Sequence, residues 1–331
     1  MNQKPKKSNT IWIVLGVAGG FFLLTMGVCC GVGLWFTRFP SVPASASQAF
    51  DYGPRPNAAV TSSVPSKNFP GVGQRTDVIF GDGNGFGKPA GSSSRLWIYM
   101  PLTQLQPSST PCILICGAGS TMMTGMKLSD GDEAEHLPYL KAGFVVVAYD
   151  LDGPNEGDSP EPKSYEAFRD SNAGLVNARV AIEYVLANLP EVNPKQIFSA
   201  GHSSAGTTAL LFAEHESRLA GCVAFAPCTD LQARIPGALV RTLSLTFEGL
   251  PEFLVKSSPR THETKINCPV MLFHAADDSN VPIEDSRAFV ARLKSAGKDA
   301  TLKEVATGDH YQPMIDTGIP AGIEWIKLHL K

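Results

Sequence analysis

Gln196-Ile197-Phe198-Ser199-Ala200-Gly201-His202-Ser203-Ser204-Ala205-Gly206-Thr207-Thr208-Ala209-Leu210-Leu211 is the stretch that decides the fold. An apolar strand pattern runs into a turn of small residues, and a helical pattern begins at once. Small neighbours are required because such a turn is sharp and strained, and larger side chains would clash. The geometry lifts the Ser203 hydroxyl clear of the strand. It also sets the Ser204 N–H at a helix N-terminus, where developing negative charge is favoured. In the alternative register Ser204 is the raised residue, but it lacks a glycine two places before it. Ala205 stands where a second glycine is usual in Gly-x-Ser-x-Gly, with Gly206 one place on.

Outward from this turn the chain alternates. Apolar or β-branched runs at 76–80, 96–100, 112–116, 144–149, 196–200, 221–225, 270–274 and 300–305 predict eight strands. Helical patterns fall at 133–141, 165–188, 205–216, 284–296 and 321–330. Within 165–188, for example, Leu175, Ala178, Ala181, Ile182, Val185 and Leu186 share one face. Strand–helix alternation predicts an α/β fold with a mostly parallel eight-stranded sheet flanked by helices. Such sheets carry their functional residues at the carboxyl ends of the strands.

Two later strand ends carry chemistry. Pro269-Val270-Met271-Leu272-Phe273-His274-Ala275-Ala276-Asp277-Asp278-Ser279-Asn280-Val281-Pro282 places two acids after an apolar run, and Gly308-Asp309-His310-Tyr311 closes the last strand. His136, His215 and His329 fall in helical patterns and His262 in a polar loop. His202 and His274 suit packing or orientation, which leaves His310 as the proton carrier. The order nucleophile, acid, histidine, with Asp-x-x-Val-Pro and Ser258-Pro259, resembles the α/β-hydrolase superfamily. Within it the chain is most similar to the prolyl oligopeptidase (peptidase S9) and dienelactone hydrolase-like branch.

That resemblance implies a serine hydrolase with Ser203 as nucleophile, Asp278 as acid and His310 as base, Asp277 being the neighbour most easily confused with Asp278. Ile113-Leu114-Ile115-Cys116-Gly117-Ala118-Gly119-Ser120 is similar to the family's His-Gly-Gly-Gly loop, with Cys116 in place of the histidine. It implies an oxyanion hole made by the backbone N–H groups of Ser204 and Ala118, with Gly119 the rival donor. The reaction this resemblance implies is acyl transfer to water on an ester or a peptide, with no metal or cofactor called for. Asp150, Asp152, Glu156 and Asp158, in a loop resembling another family landmark, lack the spacing of a calcium loop and read as a rim. Gated family members carry a propeller before the hydrolase, whereas a tether and an apolar segment precede it here. Ester or lactone hydrolysis is therefore at least as well supported as peptide cleavage. The segment 229–264, apolar in part, is either a small helical cap over Ser203 or the ordinary helix between two strands.

The apolar segment is residues 11–36, which hold no charge. As a helix it would span ~39 Å at about 1.5 Å per residue, more than the ~30 Å hydrocarbon core. It is too long for a cleaved signal, so an uncleaved anchor is expected, with Trp12 and Trp35 near the interfaces. Lys4, Lys6 and Lys7 precede it and Arg38 follows. The balance places residues 1–10 in the cytoplasm and the domain outside it. Residues 37–75, rich in Pro, Ser and Ala, read as a linker, and 76–331 as the catalytic domain. Gly81–Gly87 opens no helix and carries no Lys-Ser/Thr, so it reads as a hairpin loop rather than a phosphate cradle.

Charge and cysteine content close off other classes. The 28 basic and 31 acidic residues give a net charge of −3, which argues against nucleic-acid binding. Seven cysteines at irregular spacings form neither a zinc pattern nor a disulfide framework. They read as buried thiols, with a Cys222–Cys228 bridge as the one outside option. Oligomeric state leaves no signature in the sequence. The competing classes are a non-catalytic binding protein that retains the fold and a perhydrolase or haloperoxidase-like activity using the same residues.

Overall fold

Along one central strand, β4 (Thr110–Cys116), successive side chains serve two different cores. Cys112, Leu114 and Cys116 join one buried cluster, and Ile113 and Ile115 join the other. This is the period-two alternation of a strand buried on both faces. The computed structural model describes residues 60–80, 94–154 and 160–330. Its sheet has nine strands: β1 (Val60–Phe69), β2 (Gly73–Phe80), β3 (Ser94–Pro101), β4, β5 (Val145–Tyr149), β6 (Val192–His202), β7 (Gly221–Phe225), β8 (Val270–Ala275) and β9 (Ala300–Val305). Their order is β1-β2-β3-β5-β4-β6-β7-β8-β9. β4 to β9 run parallel, while β1, β2 and β3 are joined to one another and to β5 by antiparallel pairing.

Helices cover both faces. One core takes the apolar sides of α3 (Leu175–Asn188), α4 (Ser204–His215) and α9 (Ile283–Ser295); the other takes α1 (Glu133–Lys141) and α10 (Ile319–Leu328). In α9, Phe289, Val290 and Leu293 are buried, each contributing about 1.5–3 kcal/mol of apolar transfer. Its first turn holds Glu284 and Asp285 and its last turn Arg292 and Lys294, each charge complementing the helix dipole.

The expected strand count, the linker boundary and the single helix over 165–188 are corrected, while the reading of the cysteines as free thiols agrees with the structure among the described residues. The sheet has nine strands rather than eight, because residues 60–69, assigned to the linker, form β1. It is an edge strand paired only with β2, so it needs no apolar face, and its Pro65 sits at a register shift where no ladder donor is required. The linker boundary at 75 therefore falls inside β2. The single helix expected over 165–188 is two, α2 (Pro162–Asp170) and α3. Asn172, Ala173 and Gly174 take φ of 53°, 54° and 84°, and Ser171 Oγ closes the break by donating to the Phe168 carbonyl at 2.9 Å. Cys222 and Cys228 are both free, as are Cys112, Cys116 and Cys268, so there is no bridge between them.

The segment 229–264 forms four short helices, α5 (Leu231–Arg234), α6 (Gly237–Leu243), α7 (Leu250–Lys256) and α8 (Pro259–His262), rather than one connecting helix. Tyr165 and Arg169 of α2 both donate to the Glu248 carbonyl at 3.0 Å, pinning it in place. The expected span at 11–36, the linker up to residue 59, the Gly81–Gly87 loop, and Glu156 and Asp158 lie outside the described residues. Among the described residues no helix is long and apolar enough to cross a membrane.

Candidate active site

The turn between β6 and α4 holds Ser203 at φ 55° and ψ −120°, a region that side-chain-bearing residues seldom occupy. The fold enforces that backbone. A Cβ on Gly201 would lie 2.4 Å from the Ala205 carbonyl carbon and oxygen, and one on Gly206 would lie 2.9 Å from the Gly201 oxygen. Ser203 N–H donates to the Phe225 carbonyl of β7 at 2.8 Å, and Thr207 N–H donates to the Ser203 carbonyl at 3.0 Å. The strained residue is thus Ser203, while Ser204 is already the first residue of α4.

Asp278 follows β8, and its side chain is fully buried. Its Oδ1 accepts from the N–H groups of Asn280 and Val281, both at 2.8 Å. Its Oδ2 receives His310 Nδ1 at 2.7 Å and His274 Nε2 at 3.1 Å. Burial by itself would raise this carboxyl. The hydrogen bonds from His274, His310 and Val281, together with the nearby imidazole of His310, outweigh it and hold the group well below the ordinary carboxylate range. Asp278 is therefore an anion, and His310 carries its proton on Nδ1. His310 Nε2 is left buried with no hydrogen-bond partner among the described residues.

Adjacent acids have different tasks. Asp277 takes no part in the His310 ring contact; it accepts from the N–H groups of Gly308 and Asp309 at 3.0 and 2.9 Å. Asp309 in turn accepts from the N–H and hydroxyl of Ser279, both at 2.8 Å. The two loops are cross-braced, which sets the position of the imidazole. Gly308, at φ 124°, allows the bend.

Three further contacts frame the site. His274 is completely buried, and its Nε2 faces two acceptors, Asp278 Oδ2 and the Val281 carbonyl at 2.9 Å. The proton therefore sits on Nε2, and Nδ1 accepts from the Ser286 hydroxyl at 2.8 Å. His202, beside Ser203, donates from Nε2 to the His310 carbonyl at 3.0 Å, the ring centroids 4.7 Å apart. Burial, then the neighbouring His310, lowers its pKa to about 4, so it is neutral. Behind it, Glu135 lies 3.7 Å from His202 Nδ1; burial and then Asp132 raise that carboxyl to about 8.

The loop after β4 meets the helix opposite. Gly119 and Ser120 both donate backbone N–H groups to Ser204 Oγ at 3.0 Å. Ala118, the residue expected from the sequence to supply an oxyanion donor, stands half-buried one place earlier in the same loop. A cavity of about 150 Å³ opens beside Ser203, walled by α4, by Leu231 and Arg234 of α5, and by Asn280. Cys228 also lines it, but burial pushes this thiol up to about 12, so it is no nucleophile at neutral pH. Among the described residues no group of three or more His, Cys, Asp or Glu side chains is placed to hold a metal ion.

The sequence model of the prolyl oligopeptidase family, peptidase S9, matches residues 134–320, more than half of the chain. The chain belongs to the prolyl oligopeptidase family. As a member it is a serine hydrolase. It is 25% identical over 184 residues to the uncharacterized peptidase YtmA of Bacillus subtilis (strain 168), a match covering 54% of this chain and 68% of that one. Among solved structures it resembles the acetyl xylan esterase from Paenibacillus sp. R4, with TM-score 0.61 and 17% identity over 87% of this chain and all of that one. It also resembles the acylaminoacyl peptidase of Pyrococcus horikoshii, with TM-score 0.55 and 16% identity over 77% of this chain. The match covers 46% of that peptidase. Both likenesses are to the α/β-hydrolase fold, here with a mostly parallel sheet.

Several working parts of this family member were not legible in its sequence. The cross-bracing role of Asp277 and the Arg234 guanidinium at the cavity come from segments that meet only on folding. His274 did leave a signal: a histidine in the middle of the apolar run 270–275 must satisfy both ring nitrogens once buried.

Proposed function

We propose that this protein is a membrane-anchored serine hydrolase in which Ser203 attacks an acyl carbonyl, His310 moves the proton and Asp278 holds His310. A serine hydroxyl is a poor nucleophile until a base takes its proton. His310 Nε2, buried and without a partner among the described residues, is the acceptor for it. Asp278, already an anion, keeps the proton on Nδ1 and offsets the charge of the imidazolium that forms. The N–H groups of Ser204 and Ala118 would receive the oxyanion, each worth roughly 10²–10³-fold in rate, since those of Gly119 and Ser120 are taken by Ser204 Oγ. The His310 proton then passes to the leaving group, and water releases the acyl group from Ser203 by the same steps in reverse.

The observations that support this reading are the forced backbone of Ser203 and the Asp278–His310 pair at 2.7 Å, with His202, next to Ser203 in the chain, hydrogen-bonded to the His310 carbonyl at 3.0 Å. The small cavity beside Ser203, about 150 Å³, favours the ester of a short acyl group over a long peptide. The anchor is residues 11–36, with the catalytic domain on the extracytoplasmic side. Treatment with a fluorophosphonate probe should label the wild type and leave Ser203→Ala unlabelled; equal labelling of both would overturn the assignment. p-Nitrophenyl esters set against aminoacyl p-nitroanilides then separate esterase from peptidase. A reporter active only in the cytoplasm, fused after residue 331, should be silent.

A further inference from the structure

Arg234 is the one charged side chain among the described residues lining the cavity beside Ser203. Apart from the Asn280 amide and the Cys228 thiol, the rest of that wall is hydroxyl-bearing or apolar, with Thr207, Thr208 and Leu211 of α4 and with Phe168 and Leu231. The guanidinium is partly exposed and is held from one end. Nη2 donates to the carbonyl and to the side-chain Oδ1 of Asn280, in the loop that carries Asp278. Its remaining N–H groups have no partner among the described residues. Asp285 is close enough to interact with it electrostatically, but forms no ion pair with it. Asp230 caps α5 by accepting from the Ala233 N–H at 3.0 Å and is paired with Arg260. A guanidinium with spare donors in a largely apolar recess matches the flat, two-oxygen face of a carboxylate.

We infer that the substrate carries a carboxylate, which Arg234 binds while the scissile carbonyl sits at Ser203. This deepens the proposed function and rests on acyl transfer at Ser203. The carboxylate can belong to the acyl chain, as in a hemisuccinate, or to the leaving group, as in an acylated hydroxybenzoate. Arg234 does not touch the reacting atoms; it sets which substrate is held there. A charge-assisted, two-pronged contact is worth roughly ten- to a hundredfold in kcat/KM.

The test uses two matched pairs of esters on the full chain. Mono-p-nitrophenyl succinate is compared with p-nitrophenyl butyrate, and acetyl-3-hydroxybenzoate with phenyl acetate. Wild type should prefer the charged member of one pair by ten- to a hundredfold, chiefly through KM, and the pair that shows it locates the carboxylate. Arg234→Gln should bring that ratio close to its value in free solution, and Arg234→Lys should restore part of it. No preference in either pair, or one that survives Arg234→Gln, overturns the inference while leaving the hydrolase reading intact. Absence of any turnover that depends on Ser203 overturns both. Thermal unfolding of each variant verifies that the compared proteins are folded.

Discussion

His274 and His310 share a single oxygen. His274 Nε2 at 3.1 Å and His310 Nδ1 at 2.7 Å both donate to Asp278 Oδ2, on a carboxylate that has no contact with solvent. One histidine faces the reaction and the other is sealed in the core. The buried one acts through Asp278 as a positioning residue, because its proton is committed to Asp278 and the Val281 carbonyl.

Replacing His274 should therefore reach the chemistry indirectly. His274→Phe leaves the Ser286 hydroxyl and the Val281 carbonyl unpaired. It should cost about 2–4 kcal/mol of stability and lower kcat roughly ten- to a hundredfold with little change in KM. His274→Gln, which can still donate, should recover part of the kcat loss. Steady-state kinetics and urea unfolding read both quantities; a folded His274→Phe with wild-type kcat would contradict the positioning role.

Asp278→Asn should lower kcat by roughly 10⁴-fold, because an amide no longer holds the imidazole tautomer. It should also change acid stability. The native carboxyl titrates below its unfolded value of about 3.9, so its contribution is present above that pH and lost as pH falls toward the native pKa. The variant lacks that term, and its urea midpoint should fall less steeply below pH 4. An unchanged acid slope would count against it.

Glu135 supplies the opposite dependence. Its carboxyl titrates near 8 in the fold against about 4.3 unfolded, so the folded state binds the extra proton. The stability this gives is complete below the unfolded pKa and is lost as pH rises through about 8. Glu135→Gln removes the titration. Its urea midpoint should match the wild type near pH 4 and exceed it increasingly up to pH 8 or 9. Parallel curves for the two proteins would refute the assignment.

Gly201→Ala should be among the most damaging single-methyl changes in the chain. The added carbon would meet the Ala205 backbone, which cannot move without displacing the start of α4. A loss of about 3 kcal/mol and abolished probe labelling of Ser203 are expected, measured by thermal unfolding and fluorophosphonate reaction. An alanine variant with native stability and labelling would show that the turn tolerates other backbones.

Much of the site is legible in local chemistry alone. Gly201, Ser203 and Gly206 announce a turn because few residues fit so tight a backbone, and His310 stands out because it follows the last strand. Other parts are hidden for specific reasons. β1 carries no apolar alternation because an edge strand buries little. The break at 171–174 lies inside an unbroken helical pattern, where apolar spacing says nothing about a three-residue run at positive φ.

The order of residues along the chain was enough to establish alternating strands and helices, a raised serine between them and a histidine after the final strand, since each follows from sterics or hydrophobic spacing within a few neighbours. The family resemblance pointed to Asp278 as the acid, but that its neighbour Asp277 braces the histidine loop and that Arg234 enters the cavity were decided only by tertiary structure. Asp277 and Asp278 differ in nothing but the direction their side chains leave the backbone, and that direction is set by loops more than thirty residues apart closing on each other.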